Sequence, residues 1–349
     1  MKIIHVLCSD RKGGLEQAFV NISNSLVQLG YDVEAWIPAA APYRDDLLNQ
    51  VVIRPFTVRG FYDVAAMLRA RLWLKKSSPD LIITHNSRAT SILTKSCLGS
   101  AYPILGFSHG DKFNRMKGAD RLVVLTEAMR SKSLRSGFKH ESVVVFPNMI
   151  PCVPSLPAPS VGKSLPTPLS LGFMGRISPE KGLDLLLEAL SLLKRRGLSL
   201  RLHIAGSGDS EAQVRDMAER LGIRTEVIFD GWVDDIASWL RTIDLAVFPS
   251  RYESFGIVVL EAAAYGCPVV ATKADGPASQ ITHGYDGWLA DVDSLQSLTD
   301  TLLRAIDMYP QWPEVICNAH KRAQRYSMEV LLPELDALIQ TAIRSGKRI

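Results

Sequence analysis

No stretch of this 349-residue chain holds 18 consecutive apolar residues, which excludes a membrane-spanning helix. No CxxC pair occurs. The five cysteines, Cys8, Cys97, Cys152, Cys267 and Cys317, are scattered and odd in number, so they read as thiols of a reducing compartment rather than a disulfide framework. The seven histidines, His5, His85, His109, His140, His203, His283 and His320, include no HxxxH or HxH pair, and no metal site is expected. GxGxxG is missing after the first apolar run, and Gly206-Ser207-Gly208 lacks a third glycine, which argues against a dinucleotide-dependent oxidoreductase. The start, Met1-Lys2-Ile3-Ile4-His5-Val6-Leu7-Cys8, is too short for a secretory signal and has no small-residue cleavage site, so a cytoplasmic placement is expected. Low-complexity tails and short internal repeats are missing too.

What the chain does have is ordinary globular material: 47% apolar and 22% charged residues, enough for two domains with sizeable cores. Short apolar runs alternate with helix-length stretches. Lys2–Leu7, Val33–Ile37, Val51–Phe56, Leu81–Thr84, Ile104–Phe107, Leu122–Leu125 and Val143–Phe146 read as strands. A glycine turn and a helix over Leu15–Leu29 follow the first of them. This rhythm predicts a parallel sheet covered by helices on both faces. It stops at Pro147–Pro168, where seven prolines block helix and central strand alike. It then restarts with strands at Leu169–Met174, Leu200–Ala205, Glu226–Phe229, Leu245–Phe248 and Pro268–Ala271. Helices are expected over Pro179–Arg195, Asp209–Leu221, Asp234–Leu240 and Gly256–Tyr265. The expected organisation is a first domain over 1–155, a proline-rich linker over 156–168, a second domain over 169–325 and a C-terminal helix over 326–349 that packs back on the first domain. In such sheets ligands bind beyond the carboxyl ends of the strands, which predicts a site in a cleft where two doubly wound sheets face each other.

Charge is unevenly spread. Residues 1–150 carry 20 Lys and Arg against 12 Asp and Glu, and the remainder 20 against 24. The first half therefore suits an anionic partner. Arg69-Ala70-Arg71-Leu72-Trp73-Leu74-Lys75-Lys76 is a basic, Trp-bearing stretch of the kind that lies on an anionic membrane, although an ordinary surface helix turning its apolar residues to the core has the same composition. Lys112, Arg115, Lys117 and Arg121 extend the positive charge. No nucleic-acid-binding module is present, so nucleic acid is not an expected partner.

Four motifs follow predicted strands. In Gly172-Phe173-Met174-Gly175-Arg176-Ile177-Ser178-Pro179-Glu180-Lys181-Gly182, Arg176 and Lys181 stand beside a helix start, a favourable place for a diphosphate. In Pro249-Ser250-Arg251-Tyr252-Glu253-Ser254-Phe255-Gly256-Ile257, Glu253 lies in a loop, and Glu261 follows in an apolar helical stretch where a carboxylate needs a partner. Ribose hydroxyls would supply one. Lys12-Gly13-Gly14-Leu15-Glu16 permits close approach of backbone to a ligand. Phe107-Ser108-His109-Gly110 places a histidine at a strand end.

Together these motifs resemble the retaining GT-B glycosyltransferases of family 4, the glycosyl transferases group 1. The likeness covers nearly the whole chain and is strongest over Leu169–Ala290, where the two glutamates, Glu253 and Glu261, are its most specific mark. It implies an α/β fold of two Rossmann-like doubly wound domains facing a central cleft. It also implies transfer of a hexose from a UDP-, GDP- or ADP-type sugar, with retention, to a glycan or glycolipid acceptor such as lipopolysaccharide core. Two alternatives are a transferase making a small soluble glycoside and a non-catalytic sugar-nucleotide-binding protein. By resemblance, Arg176 and Lys181 hold the diphosphate with Gly13, Gly14 and Gly175 close by. Glu261 holds the ribose. Glu253, with Ser254, Phe255, Gly256 and Ile257, holds the sugar and its phosphate. His109 acts at the sugar, and the leaving phosphate takes the acceptor proton. No cofactor is implied beyond the donor itself. No metal is implied either, and no Asp-x-Asp pair stands beside the two cations. The segment Ala274-Asp275-Gly276-Pro277-Ala278-Ser279-Gln280 departs from the family pattern of a glycine pair and a glutamate, so neither Asp275 nor Gln280 is expected to be catalytic.

Overall fold

The computed structural model describes residues 1–98, 102–151, 153–156 and 164–346. The chain divides into two units, Met1–Pro151 with Met328–Ile349, and Cys152–Ser327. Residues 157–163 of the expected linker, together with Cys152, lie outside the described residues.

The first unit holds β1 (Lys2–Leu7), α1 (Gly14–Gln28), β2 (Asp32–Ile37), β3 (Val52–Pro55), α2 (Val64–Ser77), β4 (Leu81–His85), α3 (Ser87–Ser96), β5 (Ile104–Ser108), β6 (Arg121–Val124), α4 (Glu127–Arg135) and β7 (Val143–Val145). Its sheet runs β3-β2-β1-β4-β5-β6-β7 with parallel pairing. Alternation along β1 sets two core layers. Ile3 and Leu7 face Phe19, Ile22 and Leu26 of α1, whereas Ile4 and Val6 face Trp36, Phe56, Ala66 and Ala70. His5 falls on the Ile3–Leu7 side, stacked on Phe19 with ring centroids 4.1 Å apart.

The second unit holds β8 (Leu169–Met174), α5 (Leu183–Arg195), β9 (Leu200–Ala205), α6 (Glu211–Arg220), β10 (Val227–Gly231), α7 (Ile236–Leu240), β11 (Leu245–Phe248), α8 (Ile257–Ala264), β12 (Val269–Thr272), α9 (Asp275–Gln280), β13 (Trp288–Ala290), α10 (Leu295–Asp307) and α11 (Trp312–Gln324). Its sheet runs β10-β9-β8-β11-β12-β13, again parallel. The chain ends in α12 (Met328–Gly346), whose Leu335 and Ile339 are fully buried in the first unit's core with Ile3, Leu7 and Leu26.

In each sheet the strand order reverses once, between β1 and β4 and between β8 and β11. Loops that part at such a point leave room for a ligand at the carboxyl ends.

Two local readings change. The helix expected over Pro179–Arg195 is broken: a short turn at Pro179–Lys181 is followed by Gly182 at φ 68°, and α5 starts only at Leu183. A Cβ on Gly182 would sit 2.1 Å from the carbonyl oxygen of Pro249, so glycine is required there and brings the two loops together. The short elements α9 and β13 carry no strong periodicity and were not expected. The helix α2 carries apolar residues on two sides. Ala66, Ala70 and Leu74 point inward, and Trp73 packs against Trp36 and Phe56. Val64, Leu68 and Leu72 are 64%, 59% and 68% exposed, so α2 also turns a second apolar stripe outward.

Candidate active site

In the second unit the turn after β8 and the loop after β11 meet. Lys181 Nζ donates to Glu253 Oε2 at 2.5 Å, so two residues 72 apart in sequence form one ion pair. Arg176 is exposed, and its side chain makes no hydrogen bond or ion pair among the described residues. Gly175 turns the chain out of β8 at φ 149°, and its backbone N–H donates to the Ala205 carbonyl at 2.9 Å.

The Glu253 loop is held from three sides. Arg251 donates to both Asp184 oxygens at 2.8 and 2.7 Å, to Asp293 at 2.6 Å and to the Pro179 carbonyl at 2.9 Å. Thr272 Oγ1 donates to the Ser250 carbonyl at 2.5 Å. From α9, Gly276 N donates to the Glu253 carbonyl at 2.9 Å and Gln280 Nε2 to the Phe255 carbonyl at 2.6 Å. A Cβ on Gly276 would lie 2.2 Å from the Phe255 oxygen.

Sequence reasoning gave Arg251, Gly276 and Gln280 no role. The structure makes them the supports of the loop that carries Glu253. The available signal was a glycine and a buried-compatible amide directly after β12, but nothing in their spacing says whose carbonyl they meet.

Beyond Phe255, Gly256 adopts φ 76° and precedes α8, whose first turn leaves backbone N–H groups without helical acceptors. Ile257 opens that helix, and Ser254 lies just before the buried Phe255. Glu261 is half-buried one turn further along, and desolvation pushes its carboxyl up to about 7. The Asp-x-Asp pattern does occur in the chain, at Asp291-Val292-Asp293. Both carboxylates are engaged by cations: Asp291 takes Lys273 at 2.7 Å and Asp293 takes Arg251. Among the described residues no group of three or more His, Cys, Asp or Glu is placed to hold a metal.

In the first unit, Gly13 is extended and Gly14 opens α1. Neither needs left-handed backbone. A side chain at Gly13 would press on Glu16 Oε2 at 3.3 Å, and the Glu16 carboxylate in turn accepts from Ser9 at 2.5 Å. His109 follows β5, where Ser108 Oγ donates to the Gly110 carbonyl at 2.8 Å. Its ring stacks on His85, the last residue of β4, with Nε2 2.8 Å from His85 Nδ1. Burial lowers the His109 pKa to about 4, so the ring is neutral at pH 7.

Thus the structure brings Lys181 and Glu253 into contact, lines Ser254, Phe255, Gly256 and Ile257 along one loop and helix start, and sets Glu261 further along the same helix. Gly13, Gly14 and His109 lie in the other unit.

Over 313 residues the chain is 27% identical to the lipopolysaccharide core biosynthesis glycosyltransferase LpsD of Rhizobium meliloti, covering 88% of each chain. It is 26% identical to LpsE of the same organism, over 84% of this chain and 85% of that one. Among solved structures, Alr3699/HepE of Anabaena in complex with UDP and glucose superposes with a TM-score of 0.85 at 20% identity, over 98% of this chain and 100% of that one, which speaks to the fold. Residues 12–152 match the model of glycosyltransferase family 4 and residues 162–322 that of the glycosyl transferases group 1, and with this fold the chain belongs to the GT-B glycosyltransferases of that family.

Proposed function

We propose that the protein moves a hexose from a nucleotide-diphosphate sugar to a cell-envelope acceptor of the lipopolysaccharide-core kind, with retention and without a metal ion. The observation that carries the reading is the Lys181–Glu253 pair beside the exposed Arg176 and the start of α8. Breaking the bond between sugar C1 and the diphosphate builds negative charge on the leaving group, and fixed cations with free backbone N–H groups stabilise it most. Paired in the free protein, Lys181 turns to the diphosphate when the donor arrives, and Glu253 becomes available to sugar hydroxyls. Glu261 takes the ribose and His109 acts on the transferred sugar. The relatives LpsD and LpsE support the acceptor class, and the UDP bound in the Anabaena structure makes UDP-sugars the first donors to try, before GDP- and ADP-sugars.

A screen of UDP-, GDP- and ADP-sugars for thermal stabilisation and for donor hydrolysis, with and without EDTA, tests this. One nucleotide class should stabilise the protein and be turned over equally with chelator present. Stabilisation without turnover on any acceptor would favour the non-catalytic alternative. Activity lost to EDTA and restored by manganese would overturn the metal-free reading.

A membrane-bound acceptor is favoured by the outward stripe Val64, Leu68 and Leu72 on α2, a helix that carries Arg69, Arg71, Lys75 and Lys76 and no acidic residue. Lys95 lies over the exposed Tyr62, 4.2 Å from its ring centroid, and Arg71 donates to the carbonyl of the exposed Leu98, so α3 extends the same patch. Each basic residue near an anionic surface contributes about 1 kcal/mol, and the attraction fades over a Debye length. Co-sedimentation with anionic but not neutral vesicles, weakened by salt and by Leu68→Glu with Leu72→Glu, is the expected result. Equal binding to neutral lipid removes the electrostatic part of the proposal.

A further inference from the structure

Gly206-Ser207-Gly208 follows β9, at the carboxyl end of the second unit's sheet. A loop of this composition often offers bare backbone to a ligand. Here both glycines already face protein. A Cβ on Gly206 would stand 2.0 Å from the carbonyl oxygen of Gly175. One on Gly208 would stand 2.1 Å from the carbonyl oxygen of Ile177 and 2.8 Å from its nitrogen. Gly175 and Ile177 are the residues on either side of Arg176. The space that each glycine leaves is filled by the turn that carries this cation.

Hydrogen bonds tie the same two stretches together. Gly175 N–H donates to the Ala205 carbonyl at 2.9 Å, Ile177 N–H to the Ser207 carbonyl at 3.0 Å, and Ser210 N–H to the Ile177 carbonyl at 3.2 Å. The strands β8 and β9 pair as far as Met174 and Ala205, so the ladder runs on past the ends of both. From the other side, Gly206 N–H donates to the Gly231 carbonyl at the end of β10, at 2.6 Å. Ile177 is fully buried in the core with Leu171, Phe173 and Leu186.

The two cations of the site are therefore placed by different means. Lys181 is held through its side chain, by Glu253. Arg176 is exposed and its side chain has no such partner among the described residues, so only its backbone limits where the guanidinium can reach.

We infer that Gly206 and Gly208 are positioning residues for sugar transfer: they let the loop after β9 lie against the peptides on either side of Arg176 and so hold that cation where the donor diphosphate departs. This rests on the reading of Arg176 as a group that stabilises the leaving diphosphate. The loop acts through Arg176 and is not a phosphate cradle of its own. Preorganised charge is effective because it needs no rearrangement at the moment of reaction. A displacement of about 1 Å caused by a change outside the site costs roughly 10² in rate. Gly208→Ala imposes such a displacement cleanly. Gly208 needs no left-handed backbone, unlike Gly206 at φ 132°, so the added methyl acts only by contact. What it meets is main chain, which cannot swing aside as the tip of a side chain would.

A double-mutant cycle on the donor found by the screen separates action through Arg176 from plain support of the fold. Gly208→Ala should lower kcat by roughly 10². In the Arg176→Ala background the same change should cost less than about twofold, because the cation that it displaces is already gone. A defect of the fold would lower both backgrounds alike. Losses that multiply therefore overturn the inference, and so does a Gly208→Ala enzyme with native kcat. Native kcat in Arg176→Ala alone would instead remove the diphosphate reading, and with it the purpose of the loop.

Hydrogen exchange of the unmodified chain at single-amide resolution needs neither donor nor variant, and it stands even where Gly208→Ala fails to fold. The Gly175 and Ile177 amides lie in a turn, yet they should exchange as slowly as those of β8. Exchange of these two at the rate of an open loop would overturn the inference whatever the donor proves to be.

Discussion

The two units solve one problem in opposite ways. Each is a parallel sheet whose strand order reverses once, and each gathers polar groups at that reversal, beside β1 and β4 in the first unit and beside β8 and β11 in the second. The first unit fills the place with imidazoles that burial keeps neutral. The second fills it with ion pairs: Lys181 with Glu253, and Arg251 with Asp184 and Asp293. Neutral rings act by direction, through which nitrogen carries the hydrogen. Paired charges act by field and can change partner when a charged ligand arrives. The transfer proposed above, which needs the sugar oriented and the departing diphosphate stabilised, has use for one of each.

The comparison is tested hardest where charge does the work. Lys181→Ala and Arg176→Ala should each slow transfer by about 10²–10³, the cost typical of removing one group that stabilises developing charge. Glu253→Gln should behave differently. It releases Lys181 from its partner, so calorimetry with bare UDP should show binding kept or tightened while turnover falls. Unaltered turnover in both lysine and arginine variants, or loss of UDP binding in Glu253→Gln, would break the assignment of charge to the second unit.

Acid should separate the units next. His5, His85 and His109 have folded pKa values below their unfolded value of about 6.5, so the unfolded chain binds more protons as pH falls. Their contribution to stability is complete above pH 6.5 and is lost on the way down. The slope approaches about 4 kcal/mol per pH unit, about 1.4 for each ring, once all three are protonated in the unfolded chain and still neutral in the folded one. Asp184, which hydrogen bonds from Arg251 hold below the usual carboxylate range, stays ionised through that window and gives up its contribution only in stronger acid. Hydrogen exchange, corrected for its intrinsic pH dependence, should therefore show β1 and β4 losing protection between pH 6.5 and 5 while β8 and β11 keep theirs. His85→Phe should cut the slope by about a third. Unchanged protection of β1 and β4 across that window would mean that the imidazoles are not held neutral.

The contrast between the units was only half legible in the sequence. Strands such as Leu169–Met174, Leu200–Ala205 and Leu245–Phe248 show plainly, because strands buried on both faces are continuous apolar runs bounded by turn residues. Arg176, Lys181, Glu253 and Glu261 show through local spacing. The supports do not. That Gln280 holds the Phe255 carbonyl, or that Gly182 must clear the Pro249 carbonyl, depends on two loops meeting across the sheet. His5, His85 and His109 are 80 and 24 residues apart, and only the parallel register that sets Leu7 beside His85 and His85 beside Phe107 stacks them. On α2 the same sequence fits either orientation. The small residues Ala66 and Ala70 take the core side because α3 packs close, and that leaves Leu68 and Leu72 outside.

The smallest expected effect sharpens the comparison from within the charged unit, where desolvation favours the neutral form of Glu261 as it does that of the imidazoles. Desolvation raises its carboxyl from 4.5 to about 7, so the folded protein prefers it protonated. The buried acid costs nothing below its unfolded value and destabilises increasingly as pH rises toward 7. Above that pH, Glu261→Gln should make the free protein more stable. Ribose hydroxyls donate to the ionised form, so binding must expel the proton. Below pH 7, UDP should release close to one proton from this group, and its affinity should rise by up to about tenfold per pH unit before levelling off. The phosphate of UDP titrates near pH 6 on its own. The measurement is therefore a difference: calorimetric proton release at pH 6, in two buffers of unlike ionisation enthalpy, for the native chain against Glu261→Gln. Equal proton counts in the two would take Glu261 out of the ribose site and leave it an ordinary buried acid.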